Sequence, residues 1–86
     1  MKQSEIKEKI AFIENYLRNK GLEVSIVKRH DVYLVKITKH YPFFIKWDTL
    51  LEIIDLLEAE GFSVTHITAG RKGIILRTVP EFYELD

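Results

Sequence analysis

Apolar positions near the start of the chain recur with helical spacing. Ile6, Ile10, Ile13 and Leu17 stand at i, i+4, i+7 and i+11, which draws one narrow stripe down a helix, with Phe12 and Tyr16 beside it. Ser4 is placed to act as N-cap. Glu5 and Glu8 fall in the first turn, where the helix dipole favours anions. Gly21 follows as the left-handed residue that ends the helix. The period then changes to two. Residues 22–28 and 31–38 alternate and are rich in β-branched and aromatic side chains, which predicts a hairpin. With Arg29-His30 as the turn, Leu22, Val24, Ile26, Tyr33, Val35 and Ile37 share one face. The other face then sets Glu23 opposite Lys36, Ser25 opposite Leu34 and Val27 opposite Val32. Arg-His is not a favoured two-residue turn, so a four-residue loop over 28–31 with the same register is an equal alternative.

The same succession then returns. Leu50, Ile53, Ile54 and Leu57 make a second helical stripe, which Asp48 or Thr49 would cap. Thr49 with Glu52 fits a capping box. Leu51 and Leu56 add apolar surface off the stripe, and Gly61 closes the helix as Gly21 closes the first. Strands follow at 62–68 and 73–79 around a Gly-rich loop of two, three or four residues. That loop length decides where His66 and Arg77 face. His66 aligns with Ile26 of the first unit, which makes a hydrogen-bonded core histidine one outcome.

Residues 4–38 and 44–78 can be laid over each other at a spacing of forty with no gap. Ile10, Ile13 and Leu17 fall on Leu50, Ile53 and Leu57. Gly21, Leu22, Val24 and Val27 fall on Gly61, Phe62, Val64 and Ile67. Leu34, Val35 and Thr38 fall on Ile74, Ile75 and Thr78. Any two helix–strand–strand units share such spacing, so duplication and coincidence stay open, but the architecture is the same for both. The expected fold is α+β: a two-layer sandwich of order αββαββ, with a four-stranded antiparallel sheet and two helices on one face. Residues 1–86 form a single domain, ending in the tail 79–86. That tail, acidic at Glu81, Glu84 and Asp86 and aromatic at Phe82 and Tyr83, is expected to dock rather than hang free.

Composition narrows the function classes. The hydrophobic share of 47% is ample for one core and unlike that of a disordered chain. Thirteen basic residues balance thirteen acidic ones, so the chain lacks the general basic field of a non-specific nucleic-acid or membrane binder. With no cysteine, disulfides, thiolate metal sites and cysteine nucleophiles are excluded, which fits a reducing cytoplasm. The charged start of the chain is unlike a signal peptide, and no stretch approaches the roughly 20 apolar residues of a membrane span. Scarce Asn, Gln and Met with plentiful Ile, Lys and Glu resemble the drift of heat-adapted proteins.

Candidate chemistry is sparse. His30, His40 and His66 have no partner at metal-ligand spacing, and the carboxylates read as solvated helix faces paired with Lys or Arg four residues on. The expectation is a non-catalytic chain with no cofactor and no metal. Two helices cover only one face of a four-stranded sheet, so Val27, Val32 and Leu34, with Ile67 and one row of the second hairpin, are expected on an open face. The leading expectation is an interaction module that homodimerises through that face or an edge strand. The aromatic connector supplies Tyr41, Phe43 and Trp47 as further partner contacts or as a lid on the core. The alternative is nucleic-acid binding in which the hairpin tips, Lys28 and Arg29 with Arg71 and Lys72, grip phosphates. A small enzyme or ligand binder with His66 and Arg77 in a cleft is the third reading.

Overall fold

The computed structural model describes residues 2–38, 45–70 and 73–82. The elements run α1 (Gln3–Arg18), β1 (Glu23–Arg29), β2 (Val32–Thr38), α2 (Trp47–Ala59), β3 (Phe62–Ala69) and β4 (Gly73–Pro80). The strands pair antiparallel throughout in the order β1-β2-β4-β3, so the two hairpins meet through their second strands. α1 packs on β1 and α2 on β3, both on the same side. The order αββαββ and the α+β sandwich expected from the periodicity are therefore those of the molecule.

The core lies between the layers. Ile6, Ile13 and Leu17 of α1 and Leu50, Ile53 and Leu57 of α2 face Leu22, Val24, Tyr33, Val35, Ile37, Phe62, Ile74 and Leu76, all buried. Thr78 is the buried polar residue, and its hydroxyl donates to the Tyr33 carbonyl at 2.9 Å, which satisfies it. Above the core, Tyr16 Oη donates to Glu52 at 2.8 Å, Lys20 pairs with Glu52 at 2.7 Å, and Lys9 pairs with Glu60 at 3.2 Å. These contacts lay α1 and α2 antiparallel. Lys20 and the Tyr16 hydroxyl hold the Glu52 carboxyl below its ordinary value, and Glu52 in turn raises Lys20. The contribution of Glu52 to stability is thus present above its unfolded pKa and fades as pH falls through the lower folded one. That of Lys20 is complete below its unfolded pKa and is lost as pH rises through the higher folded one.

Four details correct the sequence reading. Both helices begin earlier than expected, with Lys2 and Lys46 in the N-cap positions and no side-chain cap bond, so none of Ser4, Asp48 and Thr49 caps. The first hairpin turns at His30-Asp31, with Val24 opposite Ile37 and Ile26 opposite Val35. His30 takes a φ of 54°, the left-handed conformation primed hairpin turns require at their first central residue and one that His tolerates better than most. This is a two-residue slip from the expected pairing. It leaves every side chain on its expected face but puts Glu23 beside Thr38, Ser25 beside Lys36 and Val27 beside Leu34.

The third correction is a bulge. Val64 pairs with Thr78 and His66 with Arg77, so Thr65 is an extra residue on β3. The gapless match at forty therefore holds for the inward positions from Ile10 to Val24, which fall on Leu50 to Val64, fails at the buried Ile6, which falls on the exposed Lys46, and is off by one beyond Val64. Tyr33, Val35 and Ile37 correspond in the core to Ile74, Leu76 and Thr78, whereas Ile75 lies on the far face. The fourth follows from it: His66 pairs with Arg77 on the far face and is exposed, not buried in the core, while Ile67 comes opposite the buried Leu76 on the helix side.

At the other end, the tail starts by docking. The Glu81 N–H donates to the Gly61 carbonyl at 2.7 Å, and Phe82 packs edge-on against Phe62. Of the connector's expected lid, Ile45 packs against the core and Trp47 is exposed, while residues 39–44, Tyr41 and Phe43 included, and residues 83–86 lie outside the described residues.

Gly73 matters for a different reason from the helix-ending glycines. It pairs with Thr38, where β4 comes hard against β2. A Cβ there would run into the backbone carbonyl oxygen of Ile37 and meet Thr38 Cγ2 at 3.0 Å. Backbone cannot swing aside as a side chain does. Gly73→Ala should therefore destabilise by about 1–3 kcal/mol. Gly70→Ala, whose Cβ would meet only the Gly73 oxygen at 3.9 Å, should cost clearly less. Urea denaturation of the two variants checks this; equal midpoints would contradict the close approach.

Candidate interaction surface

Strand alternation decides what the uncovered face carries. Residues paired across three strand junctions build rows from one edge to the other. One row runs Val27, Leu34, Arg77, His66; the next runs Ser25, Lys36, Ile75, Thr68. Arg29 beside Val32 begins a third at the end of the sheet, where Val79 lies beside Ser63. The face thus interleaves five aliphatic residues, Val27, Val32, Leu34, Ile75 and Val79, with the cations Arg29, Lys36 and Arg77 and one carboxylate, Glu23, beside Thr38. Ile75 and Val79 are the most open of the five, each 38% exposed. Among the described residues no ion pair engages any of the three cations.

Charge is divided between the two layers. The helices hold seven acidic residues against three basic ones, whereas the open face of the sheet holds three basic residues, Arg29, Lys36 and Arg77, and one acidic, Glu23. A chain with no net charge therefore turns a cationic side outward from its sheet and an anionic side outward from its helices.

Two shallow depressions mark opposite ends of the face. One of about 400 Å³ is lined by Arg29, His30, Asp31, Val32, Leu34 and Arg77. The other, of about 470 Å³, opens beside Gly73, where the missing side chain exposes Lys36, Thr38, Thr68 and Ile75.

Set against these positions, the expected site residues separate. Val27, Val32 and Leu34 lie together on the open face, each half-buried. Trp47 does not join them: it is the first residue of α2, in the other layer, and 67% exposed. Tyr41 and Phe43, with Arg71 and Lys72, lie outside the described residues. Thr38 pairs with Gly73, so the two hairpin tips stand at opposite ends of the sheet and do not make one patch. Lys28 is on the helix-side register, its Nζ 5.9 Å from the centre of the Tyr33 ring, while Arg29 faces the open side. His66 and Arg77 are exposed neighbours on the open face; Arg77 lines the first depression, and His66 is not among its lining residues.

Sequence reasoning did not foresee that Arg29 and Arg77 line one depression, because that depends on β2 pairing with β4. Nor did it single out Lys36. A signal was present: an Arg at 77 belongs outside, which forces Ile74, Leu76 and Thr78 inward and demands one extra residue upstream.

Among the described residues, no helix is long and apolar enough to cross a membrane, and no group of three or more His, Asp or Glu side chains is placed to hold a metal ion. Comparison with protein-family models, with curated proteins and with solved structures finds no match to this chain.

Proposed function

We propose that this chain is a small non-catalytic interaction module that docks a protein partner on the open face of its sheet. The supporting observation is the composition of that face, where five aliphatic side chains alternate with three cations, against the one carboxylate of Glu23, and among the described residues no ion pair engages the three cations. The aliphatic residues supply area that gains from leaving water, and the cations select a partner that is acidic around an apolar centre. A second copy packed face to face would bring Arg29, Lys36 and Arg77 against their own images, so the face suits an anionic partner better than itself.

Nucleic acid is the second reading, favoured by Arg29 and Arg77 sharing one depression. His66 is the one ring in the described rows of the face and no Phe, Tyr or Trp stands beside it to build a stacking platform, which is why nucleic acid comes second.

Photo-crosslinking separates the two. Benzoylphenylalanine introduced at Ser25 or Ile75 samples the face, and at Asp55 it samples the helix layer. The expected result is a specific protein adduct from the face positions only, lost when Leu34→Glu or Arg77→Glu is added. A nucleic-acid adduct with the same dependence would establish the second reading in its place. Equal, weak labelling from all three positions would refute docking on the face.

A further inference from the structure

We propose that β3 is the edge at which two copies of this chain join, antiparallel about a twofold axis, into one continuous eight-stranded sheet. The two edge strands of the monomer are unlike. β1 carries Glu23, Lys28 and Arg29, the kind of charge that keeps an edge from pairing. β3 reads Phe-Ser-Val-Thr-His-Ile-Thr-Ala over eight residues, with no acidic or basic carboxylate, ammonium or guanidinium side chain and no proline. Its outward backbone groups can be located. The Gly70 N–H donates to the Gly73 carbonyl, so it points toward β4. Alternation then turns the N–H and C=O of Ala69 and Ile67 away from β4, toward the side on which no strand of the described residues lies.

The flank of that edge is apolar. Ile67, on the helix side of β3, is 45% exposed. Above it, Glu52 and Glu60 mark the side of α2 that faces α1. Leu51 lies nine residues from Glu60, half a turn away at about 100° per residue, so it faces outward over the β3 edge. Trp47 and Ile54 share that side at i−4 and i+3. Leu51 is 41% and Trp47 67% exposed. A second copy related by the twofold would lay its own α2 alongside, which covers these residues while the strands pair. Strand pairing alone is small, and this helix contact extends it toward the roughly 800 Å² per partner of a stable interface.

The first unit offers no such flank. Lys7 and Ala11 stand where Trp47 and Leu51 do in the second. One adhesive edge and one guarded edge make an assembly that closes at two copies instead of growing into a fibre. The axis, perpendicular to the sheet, leaves both open faces on one side. The site is therefore distinct from the face proposed above, and either proposal can fail alone.

Sedimentation velocity on the purified chain tests the edge, with Ile67→Lys, Leu51→Glu and, on the open face, Ile75→Lys. The expected result is a dimer of the 10.2 kDa chain. Ile67→Lys and Leu51→Glu should each weaken dimerisation at least tenfold, and the two together at least a hundredfold, while Ile75→Lys leaves it unchanged. Because the chain has no cysteine, a single one can report the seam without disturbing the core. Thr68→Cys should form a disulfide dimer under mild oxidation, and Ser25→Cys on β1 should not. A strict monomer at micromolar concentration, or a dimer broken by Ile75→Lys and indifferent to both edge variants, would overturn the proposal.

Discussion

Replacing Phe62 by alanine should destabilise the chain by about 3–5 kcal/mol, the range for truncating a buried aromatic. Phe62 is the first residue of β3 and is 2% exposed. Its ring stands edge-on to Tyr33, with centroids 5.3 Å apart at 77°, and edge-on to Phe82 at 5.3 Å and 87°. Alanine removes both aromatic contacts, each worth about 0.5–1.5 kcal/mol beyond area, and leaves a cavity between the sheet and the start of the tail. The tail cannot close it freely, because Phe82 already rests on Gly61 and the Glu81 N–H is bound to the Gly61 carbonyl. A domain of this size has roughly 4–13 kcal/mol in total, so the variant should be marginal or unfolded. Urea denaturation reads the result: with a slope of about 1–3 kcal/mol per molar, the midpoint should fall by more than about 1 M. Phe62→Leu, which keeps most of the volume, should cost less than about 1.5 kcal/mol. A loss below about 1 kcal/mol for Phe62→Ala would contradict the aromatic stack.

What could be read in the sequence, and what could not, follows from which quantities a period encodes. The stripe Ile6, Ile10, Ile13, Leu17 and its counterpart Leu50, Ile53, Ile54, Leu57 specify two helices and their inner sides, and three of the four in each are buried, Ile10 and Ile54 being partly so. Alternation likewise specifies which face of each strand is oily. It is silent about a slip by two, since such a slip moves no side chain across the sheet. That is why the first hairpin turns at His30-Asp31 in place of Arg29-His30 with its faces intact. A bulge is harder still. Val64 and Ile67 are three apart, with Thr65 and His66 between them, but the letters alone do not say that one of these is spent outside the ladder, and everything beyond it changes sides. The candidate face was half legible for the same reason. Val27, Val32 and Leu34 precede the bulge in the chain and were placed; Ile75, Arg77 and Val79 follow it and were not. The meeting of Arg29 with Arg77 is a matter of strand order, which no local pattern carries.

The charge division between the layers has a consequence for assembly. The acidic helix layer of one molecule and the cationic sheet face of another attract, and Phe12 on α1 is 50% exposed, so a head-to-tail contact between layers would open a chain of copies. Joining at β3 instead sets like layers side by side, with the pairing carried by backbone and aliphatic groups that bear no charge. It leaves the cationic faces free and coplanar, so that one partner could engage two of them, with the gain in avidity that two linked sites bring.

Leu17→Ala and Leu57→Ala test whether the two units share the core evenly. Each leucine has no exposed surface and sits in the last turns of its helix, at matching places in the two stripes. Each truncation should cost about 2–5 kcal/mol, the range set by how far the surroundings collapse into the vacancy. The helices are antiparallel, with Lys9 near Glu60 at one end and Lys20 near Glu52 at the other, so the two sites lie toward opposite ends of the layer. Distant sites without shared partners add to within about 0.3–0.5 kcal/mol. The double variant should therefore lose about 4–10 kcal/mol, most or all of what an 86-residue chain holds, and should lack a cooperative thermal transition. Equal single costs would mean that each α-β-β unit anchors half of one core. A negligible cost for Leu57→Ala beside a large one for Leu17→Ala would mean that α2 does not close the sheet, and the uncovered flank of β3 and the open face would both have to be redrawn.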